Sequence, residues 1–426
     1  MQTASKKVIN GWAMYDWANS AYSLIITSAI FPAYYSAIAP KQVEFIGRTY
    51  DRASLASYSI SFSFMIIAIL SPVLSSIADY KGNKKSFLRF FCYLGSAACI
   101  GLTFMTADNV GFGIVCSILG SIGFCGSIVF YNAYLPEIAA EADQDRISAK
   151  GFATGYVGSV LLMILCLAVI MMNDSMKWGL GAWPTRLTFL AVGLWWAGFA
   201  QITFARLPAS RPSNQHPEKN ILVNGFYELK KVWHQLETYP VTKRFLTSFF
   251  FYNMGVQTVM YLATYFASEE LKLEQAQLII TILIIQLVAI VGALMFSRIS
   301  KQIGNIKTLA IIIFVWIGIC VFAYFVKSVY QFYGLAFTVG MVMGGIQSMS
   351  RSTYSKLLPP TKDTASFFSF YDVCDKIGTV IGTLSFGYVA EFFGGMRNSV
   401  LALMTYFIIG GLLLLRVGPS WKKAQA

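Results

Sequence analysis

Charge is scarce in this chain. Asp, Glu, Lys and Arg make up 12% of its 426 residues, against roughly 25% in soluble domains. So little charge cannot cover a water-facing surface, which excludes an ordinary soluble domain. Histidine is scarcer still: His216 and His234 share one polar connection, too few and too badly placed for a zinc or haem site. The seven cysteines form no C-x-x-C pair and lie in or beside apolar stretches. They read as small core hydrophobes, with no disulfide framework and no metal site. H-E-x-x-H, a P-loop and a nucleophile elbow at a strand-to-helix turn are all missing. Neither an enzyme nor a cofactor is therefore expected, and ATP-driven transport would need a partner chain. Lys6 and Lys7 precede an apolar run, but Asp16 interrupts it and no small-x-small cleavage site follows. The run is expected to be a mature helix rather than a signal peptide.

Hydrocarbon is abundant. The chain is 56% hydrophobic and 15% aromatic, and aromatics anchor both lipid–water interfaces of a membrane protein. A span needs about 20 apolar residues to cross about 30 Å of hydrocarbon. Twelve stretches qualify: Trp12–Tyr35, Leu55–Ile77, Phe87–Met105, Val110–Tyr134, Gly151–Met172, Leu187–Phe204, Phe245–Ala267, Ala276–Phe296, Thr308–Val326, Phe332–Tyr354, Phe367–Ala390 and Asn398–Leu415. The expected fold is an all-α membrane protein of twelve transmembrane helices.

The net charge of +13 is spread over short connections, so it argues for orientation in a membrane and not for nucleic acid. Lys and Arg concentrate on the side that holds Lys6, Lys81, Lys84, Lys85, Arg146, Arg211, Lys301, Lys307, Lys356 and Arg416. That side is expected to be cytoplasmic, with both termini on it, in a bacterial-type inner membrane.

The one long connection, 205–243, begins Pro-rich and turns amphipathic: Ile221, Leu222, Phe226, Leu229, Val232, Trp233 and Leu236 recur at helical spacing. An interfacial helix is expected there. It separates a six-span bundle at 1–204 from another at 244–426. The halves repeat each other. Ile77 to Lys85 and Ile299 to Lys307 share Ile, Gly-Asn and a final Lys; Tyr15-Asp16 matches Tyr252-Asn253; Leu135-Pro136 matches Leu358-Pro359. Two related six-helix bundles are a transporter architecture, in which each half rocks about a midplane site.

Candidate site residues follow from polarity inside spans. An acid at the bilayer centre costs roughly 2.5–3.5 kcal/mol on insertion scales and normally faces a cavity or partner. Asp16 and Asn19 share one face of span 1, and Asn253 and Gln257 share one face of span 7. Tyr131 and Asn132 end span 4. Gln347 and Arg351 lie four apart in span 10. Tyr371, Asp372, Asp375 and Lys376 are in span 11. Bland alternatives stand beside these readings. Asp372 and Lys376 can form a self-contained ion pair, Arg351 can stabilise an inside gate, and Asn253, Gln257 and Gln347 can be interhelical glue.

The loop Asp79-Tyr80-Lys81-Gly82-Asn83-Lys84-Lys85 resembles the signature G-x-x-x-D-R/K-x-G-R/K-R/K of the major facilitator superfamily, with Ser75 at the first glycine position. The resemblance implies a gating role for Asp79, Gly82, Lys84 and Lys85, and for Gly304 and Lys307 in the repeat. A narrower resemblance covers nearly the whole chain. Gly11 to Ser20, Tyr131 to Glu137, Arg146 to Ser148 with Gly151 to Tyr156, Tyr252-Asn253 with Gly255 to Val259, Gly344 to Gln347 with Ser350 to Ser352, and Phe367 to Asp372 are similar to the vacuole-effluxer-like branch. That branch comprises fungal vacuolar amino-acid exporters and bacterial relatives. The chain departs from it at Met254, where the branch carries an acid, and at Asp375, where it carries a glycine.

The resemblance implies transport of amino acids or related small solutes. Opposite charges on the two halves, Asp16 against Lys376 or Arg351, suit a zwitterion. Asp16, Asp372 or Asp375 can alternatively take up a proton. The expected partners are a small-molecule solute, protons and the lipid bilayer, with the chain a monomer. Export or flipping of an amphipathic drug-like or lipid molecule, and a non-transporting sensor or scaffold, remain the alternatives.

Overall fold

The computed structural model describes residues 2–177, 179–210, 230, 232, 234, 236–392 and 395–425. Apart from one hairpin, the described chain is helical. Its helices are α1 Lys6–Ala21, α2 Ile30–Ile38, α3 Arg52–Lys81, α4 Lys84–Leu102, α5 Val110–Ala133, α6 Leu135–Ile138, α7 Glu141–Met176, α8 Trp183–Arg206, α9 Pro240–Glu270, α10 Gln275–Ile303, α11 Asn305–Phe325, α12 Val329–Lys356, α13 Thr364–Phe392 and α14 Met396–Gln425. Each expected span falls on a helix. Among the described residues, nine helical stretches are long and apolar enough to cross a membrane. The other three expected spans lie on α4, α9 and α13, where Lys84, Lys85 and Arg89, Asn253 and Gln257, and Asp372, Asp375 and Lys376 dilute the apolar run. Most of the expected interfacial helix, at 211–229, 231, 233 and 235, lies outside the described residues; Val232 and Leu236 are buried.

Contacts divide the chain into two compact units. The first comprises Ser5–Asn132 and Thr154–Gly225; the second comprises Met1–Ala4, Ala133–Ala153 and Phe226–Ala426. The segment that carries α6 and the start of α7 therefore packs with the second unit.

In the first unit the opening span is broken. Between α1 and α2 the chain forms a π-helical segment, Tyr22–Ala29, and Ala29 leaves helical geometry at φ −124°, ψ −75°. Ser28 Oγ donates to the Ser23 carbonyl at 3.0 Å, five residues back, as a widened turn allows. Such π segments are rare and often mark functional positions. A hairpin of β1 Gln42–Phe45 and β2 Arg48–Asp51 follows, turning at Ile46 and Gly47, both with positive φ. Asp51 then caps α3 by accepting from Ala53 and Ser54 backbone amides at 3.0 and 3.1 Å. Small residues let the unit's helices close up: a methyl at Gly95 would strike the Trp196 ring, and one at Gly123 would strike the Gly95 backbone. Trp17 stacks on Trp195 at 5.5 Å between α1 and α8.

In the second unit α10 and α12 meet backbone to backbone. Methyls at Gly340 and Gly344 would overlap the carbonyl oxygens of Ile285 and Ala289. Gly344→Leu is expected to destabilise the protein by about 1–3 kcal/mol through overpacking. Gly334→Ala, on the same helix with open space at its Cβ, is expected to be neutral or slightly stabilising. Thermal unfolding of both purified variants checks this. Trp316 stacks on Phe407 at 5.3 Å and joins α11 to α14.

Candidate functional site

The first unit holds Asp16 on α1, 4% exposed. Tyr131 at the end of α5 donates its hydroxyl to Asp16 Oδ2 at 2.7 Å. Trp12, one turn before Asp16, stacks on the Tyr131 ring at 4.5 Å and donates its indole N–H to the Tyr131 carbonyl at 3.0 Å. Trp12 thus holds Tyr131 by both its ring and its backbone, with the hydroxyl aimed at the carboxylate. Gly155 of α7 lies beside Asp16, where a methyl would crowd Ser20 and Asp16. Asn19, one turn further along α1, is 1% exposed and its side-chain nitrogen has no partner. Asn132 is buried next to Tyr131.

The second unit holds a denser cluster between α9 and α13. Asp375 Oδ1 accepts from Asn253 Nδ2 at 2.6 Å and Gln257 Nε2 at 2.7 Å, one helical turn apart on α9. Asp375 Oδ2 lies 2.6 Å from Lys376 Nζ. The same ammonium stands 3.5 Å from Asp372 Oδ1, while Asp372 Oδ2 is buried with no partner. Lys376, expected to face a solute carboxylate, is therefore already flanked by two acids. The cluster holds two carboxylates against one ammonium. Below it Tyr371 is sandwiched between Phe249 at 4.1 Å and Tyr354 at 4.9 Å, which fixes its ring as part of the packing. Gln347 is half-buried on α12.

A second buried polar network lies elsewhere in this unit, and its centre was not singled out from the sequence. Asp145, near the start of α7, accepts from Ser300 Oγ at 2.9 Å, Asn305 Nδ2 at 2.8 Å and Lys356 Nζ at 2.7 Å. Asn305 also donates to Thr353 Oγ1 at 3.0 Å and accepts from Lys356 at 3.0 Å. Asp145 and Lys356 side chains are 6% and 9% exposed. One turn along α7, Ser148 donates to the Ser348 carbonyl at 2.8 Å. Arg351 donates to Ser148 Oγ at 2.9 Å and to its carbonyl at 2.8 Å, and its guanidinium covers the Phe152 ring at 4.1 Å. Glu137 of α6 accepts from Thr364 Oγ1, at the first residue of α13, at 2.9 Å. Asp145 sits in the run Glu141-Ala142-Asp143-Gln144-Asp145-Arg146, where sequence alone cannot say which acid turns inward. The usable signals were the repeated Gly-Asn at Gly304-Asn305 and the i, i+3 spacing of Asp145 and Ser148.

The loop between α3 and α4 is built around a buried pair. Asp79 and Lys84 approach to 3.1 Å at 2% and 1% exposure. Gly82 closes α3 in the left-handed region at φ 63°, which glycine adopts without strain. Lys85 Nζ donates to the carbonyls of Phe204 and Leu207 at 3.1 and 2.5 Å, at the end of α8. Lysine there complements the negative end of the helix dipole. In the repeat, Gly304 has φ 86° and Lys307 is exposed.

The second unit also contains an apolar cavity, separate from both polar clusters, lined by residues such as Val259, Leu262, Phe266, Ile319, Val339 and Leu403. Its Thr258 hydroxyl is spent on the Met254 carbonyl at 2.6 Å. Such a lining offers little to a polar solute.

Comparison with known proteins accords with this layout. The family described as "Vacuole effluxer Atg22 like" matches residues 4–426. The "Uncharacterized MFS-type transporter YxiO" of Bacillus subtilis (strain 168) is 32% identical over 411 residues, 95% of this chain and 93% of that protein. "Autophagy-related protein 22-1" of Aspergillus terreus is 24% identical, over 89% of this chain and 76% of that protein. In fold, the chain is similar to the major facilitator transporter FucP in its outward conformation, with a TM-score of 0.71, 16% identity and coverage of 97% and 98%. It is also similar to a bacterial homologue of the iron transporter ferroportin, with a TM-score of 0.67, 12% identity and coverage of 96% and 98%. With the family matched over residues 4–426 and a relative 32% identical over nearly the whole chain, the chain belongs to the vacuole effluxer Atg22-like family of the major facilitator superfamily.

Proposed function

We propose that this protein is an alternating-access secondary transporter of a small polar solute that carries an ammonium group, an amino acid or related zwitterion. One observation carries the reading. Three charged residues, Asp372, which is buried, and Asp375 and Lys376, whose side chains are 13% exposed, cluster on α13, an expected span, where Asn253 and Gln257 hold Asp375. Intramembrane charge is costly and is retained mainly where a solute or ion must be handled. The family's description as vacuole effluxers supports the same class. Asp16 with Tyr131 supplies a second acidic contact in the first unit.

The two rocking bundles are taken as 1–204 and 244–426, with 205–243 as the cytoplasmic linker. The protein is read as a monomer in a bacterial-type inner membrane, with both termini cytoplasmic. The Asp145–Lys356 and Ser148–Arg351 contacts are then the inner gate, because they join helix ends on the Lys- and Arg-rich side. Protons are the proposed coupling ion, taken up by a buried carboxylate.

A thermal-shift screen of amino acids and related metabolites on the purified protein tests the substrate class. Flux of any hit in proteoliposomes, with and without a proton gradient, tests coupling. Asp16→Asn is expected to reduce flux at least about tenfold, the equivalent of about 1.4 kcal/mol of lost solute contact. Tyr131→Phe should retain more flux than Asp16→Asn, since it removes only one neutral donor. Normal transport by Asp16→Asn would remove Asp16 from the mechanism.

A second reading, export of an amphipathic molecule, is favoured by the apolar cavity of the second unit. Efflux of a lipophilic dye from proteoliposomes, with no response to amino acids, would select it.

A further inference from the structure

We propose that Lys376 is a tethered occupant of a cation site: its ammonium holds, on Asp375 and Asp372, the place that the solute's ammonium takes. The inference rests on the reading of the solute given above and assigns this cluster its regulation.

Two features of the cluster separate it from a plain ion pair. The first is charge balance. Asp372 and Asp375 face a single ammonium, so one negative charge of the cluster is unmatched within it. The second is the uneven satisfaction of the two acids. Asp375 is complete: Asn253 and Gln257 donate to one oxygen and Lys376 to the other. Asp372 is incomplete. Its Oδ1 has Lys376 only at 3.5 Å, and its Oδ2 has no partner although the residue is 5% exposed. A buried carboxylate oxygen without a donor is an unspent recognition element. A primary ammonium carries three N–H donors, enough to bridge Asp372 Oδ2 and Asp375 Oδ2 together.

Lysine suits a displaceable tether. Its charge is compact and sits on a flexible four-carbon stem, unlike the rigid fork of arginine. Lys376 reaches both acids from their own helix, as neighbour of Asp375 and four residues after Asp372. No movement of another element is needed for it to leave. The acceptor is held independently, because Asn253 and Gln257 fix Asp375 from α9. When a solute ammonium enters, it satisfies Asp372 Oδ2 and Lys376 swings away. When the solute departs, Lys376 returns. The unloaded carrier therefore never presents a bare carboxylate pair to the hydrocarbon.

Competition sets the expected size of the effect. If Lys376 occupies the site in nine molecules of ten, it reduces apparent affinity for an outside ammonium about tenfold. The test is thermal unfolding of the purified full-length protein titrated with ethylammonium chloride. Tetramethylammonium chloride at equal ionic strength is the control, being cationic but without N–H donors. Lys376→Ala is expected to unfold at a lower temperature than the wild type. Ethylammonium should raise its Tm saturably, and tetramethylammonium should not. The wild type should need about tenfold more ethylammonium for the same response. Asp372→Asn in the Lys376→Ala background should abolish the response.

Absence of an ethylammonium-specific shift in Lys376→Ala would overturn the proposal and leave Lys376 as a fixed structural partner. Should Lys376→Ala not yield folded protein, Asp372→Asn alone decides. It should abolish the wild-type response to ethylammonium, and an unchanged response overturns the proposal. Binding of ethylammonium without flux of any amine solute would sink the transport reading while the tether stands. Amine flux without the ethylammonium response would sink the tether alone.

Discussion

Asp145→Asn is expected to destabilise the protein by about 3–5 kcal/mol, the range for breaking a buried ion pair from one side. Asp145 collects hydrogen bonds from Ser300, Asn305 and Lys356, and the Lys356 side chain is only 9% exposed. Asparagine keeps the shape but puts an NH2 group among donors and leaves the Lys356 ammonium without its carboxylate. The buried charge, rather than the lost bonds, supplies most of the penalty. Lys356→Met should therefore cost less than Asp145→Asn only if Asp145 can lean on Ser300 and Asn305. The double variant Asp145→Asn/Lys356→Met should recover much of the loss, because no unmatched charge remains. Thermal unfolding of the four proteins gives the coupling energy directly. A coupling below about 0.5 kcal/mol would show that the pair acts as ordinary surface charge. If the pair is also the inner gate, flux in the double variant should change even where stability is restored.

The second large effect is expected at Asp375. Three donors converge on its carboxylate: Asn253 Nδ2, Gln257 Nε2 and Lys376 Nζ. Asp375→Asn offers them one acceptor atom and adds a donor. Lys376 keeps Asp372 at 3.5 Å, so the loss, about 1–3 kcal/mol, comes from the donors left without an acceptor. Gln257→Ala, which deletes one donor of several, should cost about 1 kcal/mol, closer to an ordinary hydrogen bond. Flux of the identified solute should fall below detection in Asp375→Asn. Adding Lys376→Met removes the cation beside the buried Asp372, so it should restore neither stability nor flux. Recovery of both together would mean that the cluster is structural, and the proposed site would have to move elsewhere.

The parts of this protein that sequence made legible share a cause. Membrane spans are read from one-dimensional runs of hydrocarbon, because each must satisfy its own backbone hydrogen bonds inside lipid. All twelve expected spans accordingly fall on helices. Isolated polar residues within such runs, Asp16, Asn253, Asp372, Asp375 and Lys376, were visible because each stands against an apolar background. Asp145 was not visible. It lies among Glu141, Asp143 and Arg146, at a helix start where charge is unremarkable, and only packing decides which of them is buried. The π-helical break at Tyr22–Ala29 was equally hidden. Its residues, Tyr-Ser-Leu-Ile-Ile-Thr-Ser-Ala, contain no proline or glycine to announce it.

Lys376 shows the limit most sharply. The i, i+3, i+4 spacing of Asp372, Asp375 and Lys376 put all three on one stripe of a helix. That much is periodicity and needs no fold. Which acid is satisfied, which oxygen is left over and which charge is spent depend on α9 presenting Asn253 and Gln257 to Asp375 and not to Asp372. The sequence by itself determined the membrane class, the spans, the internal repeat and the family, because hydropathy and local motifs are properties of the chain taken one segment at a time. The tertiary structure alone decided which buried charges are paired, since pairing depends on contacts between segments that lie as much as 211 residues apart, as Asp145 and Lys356 do.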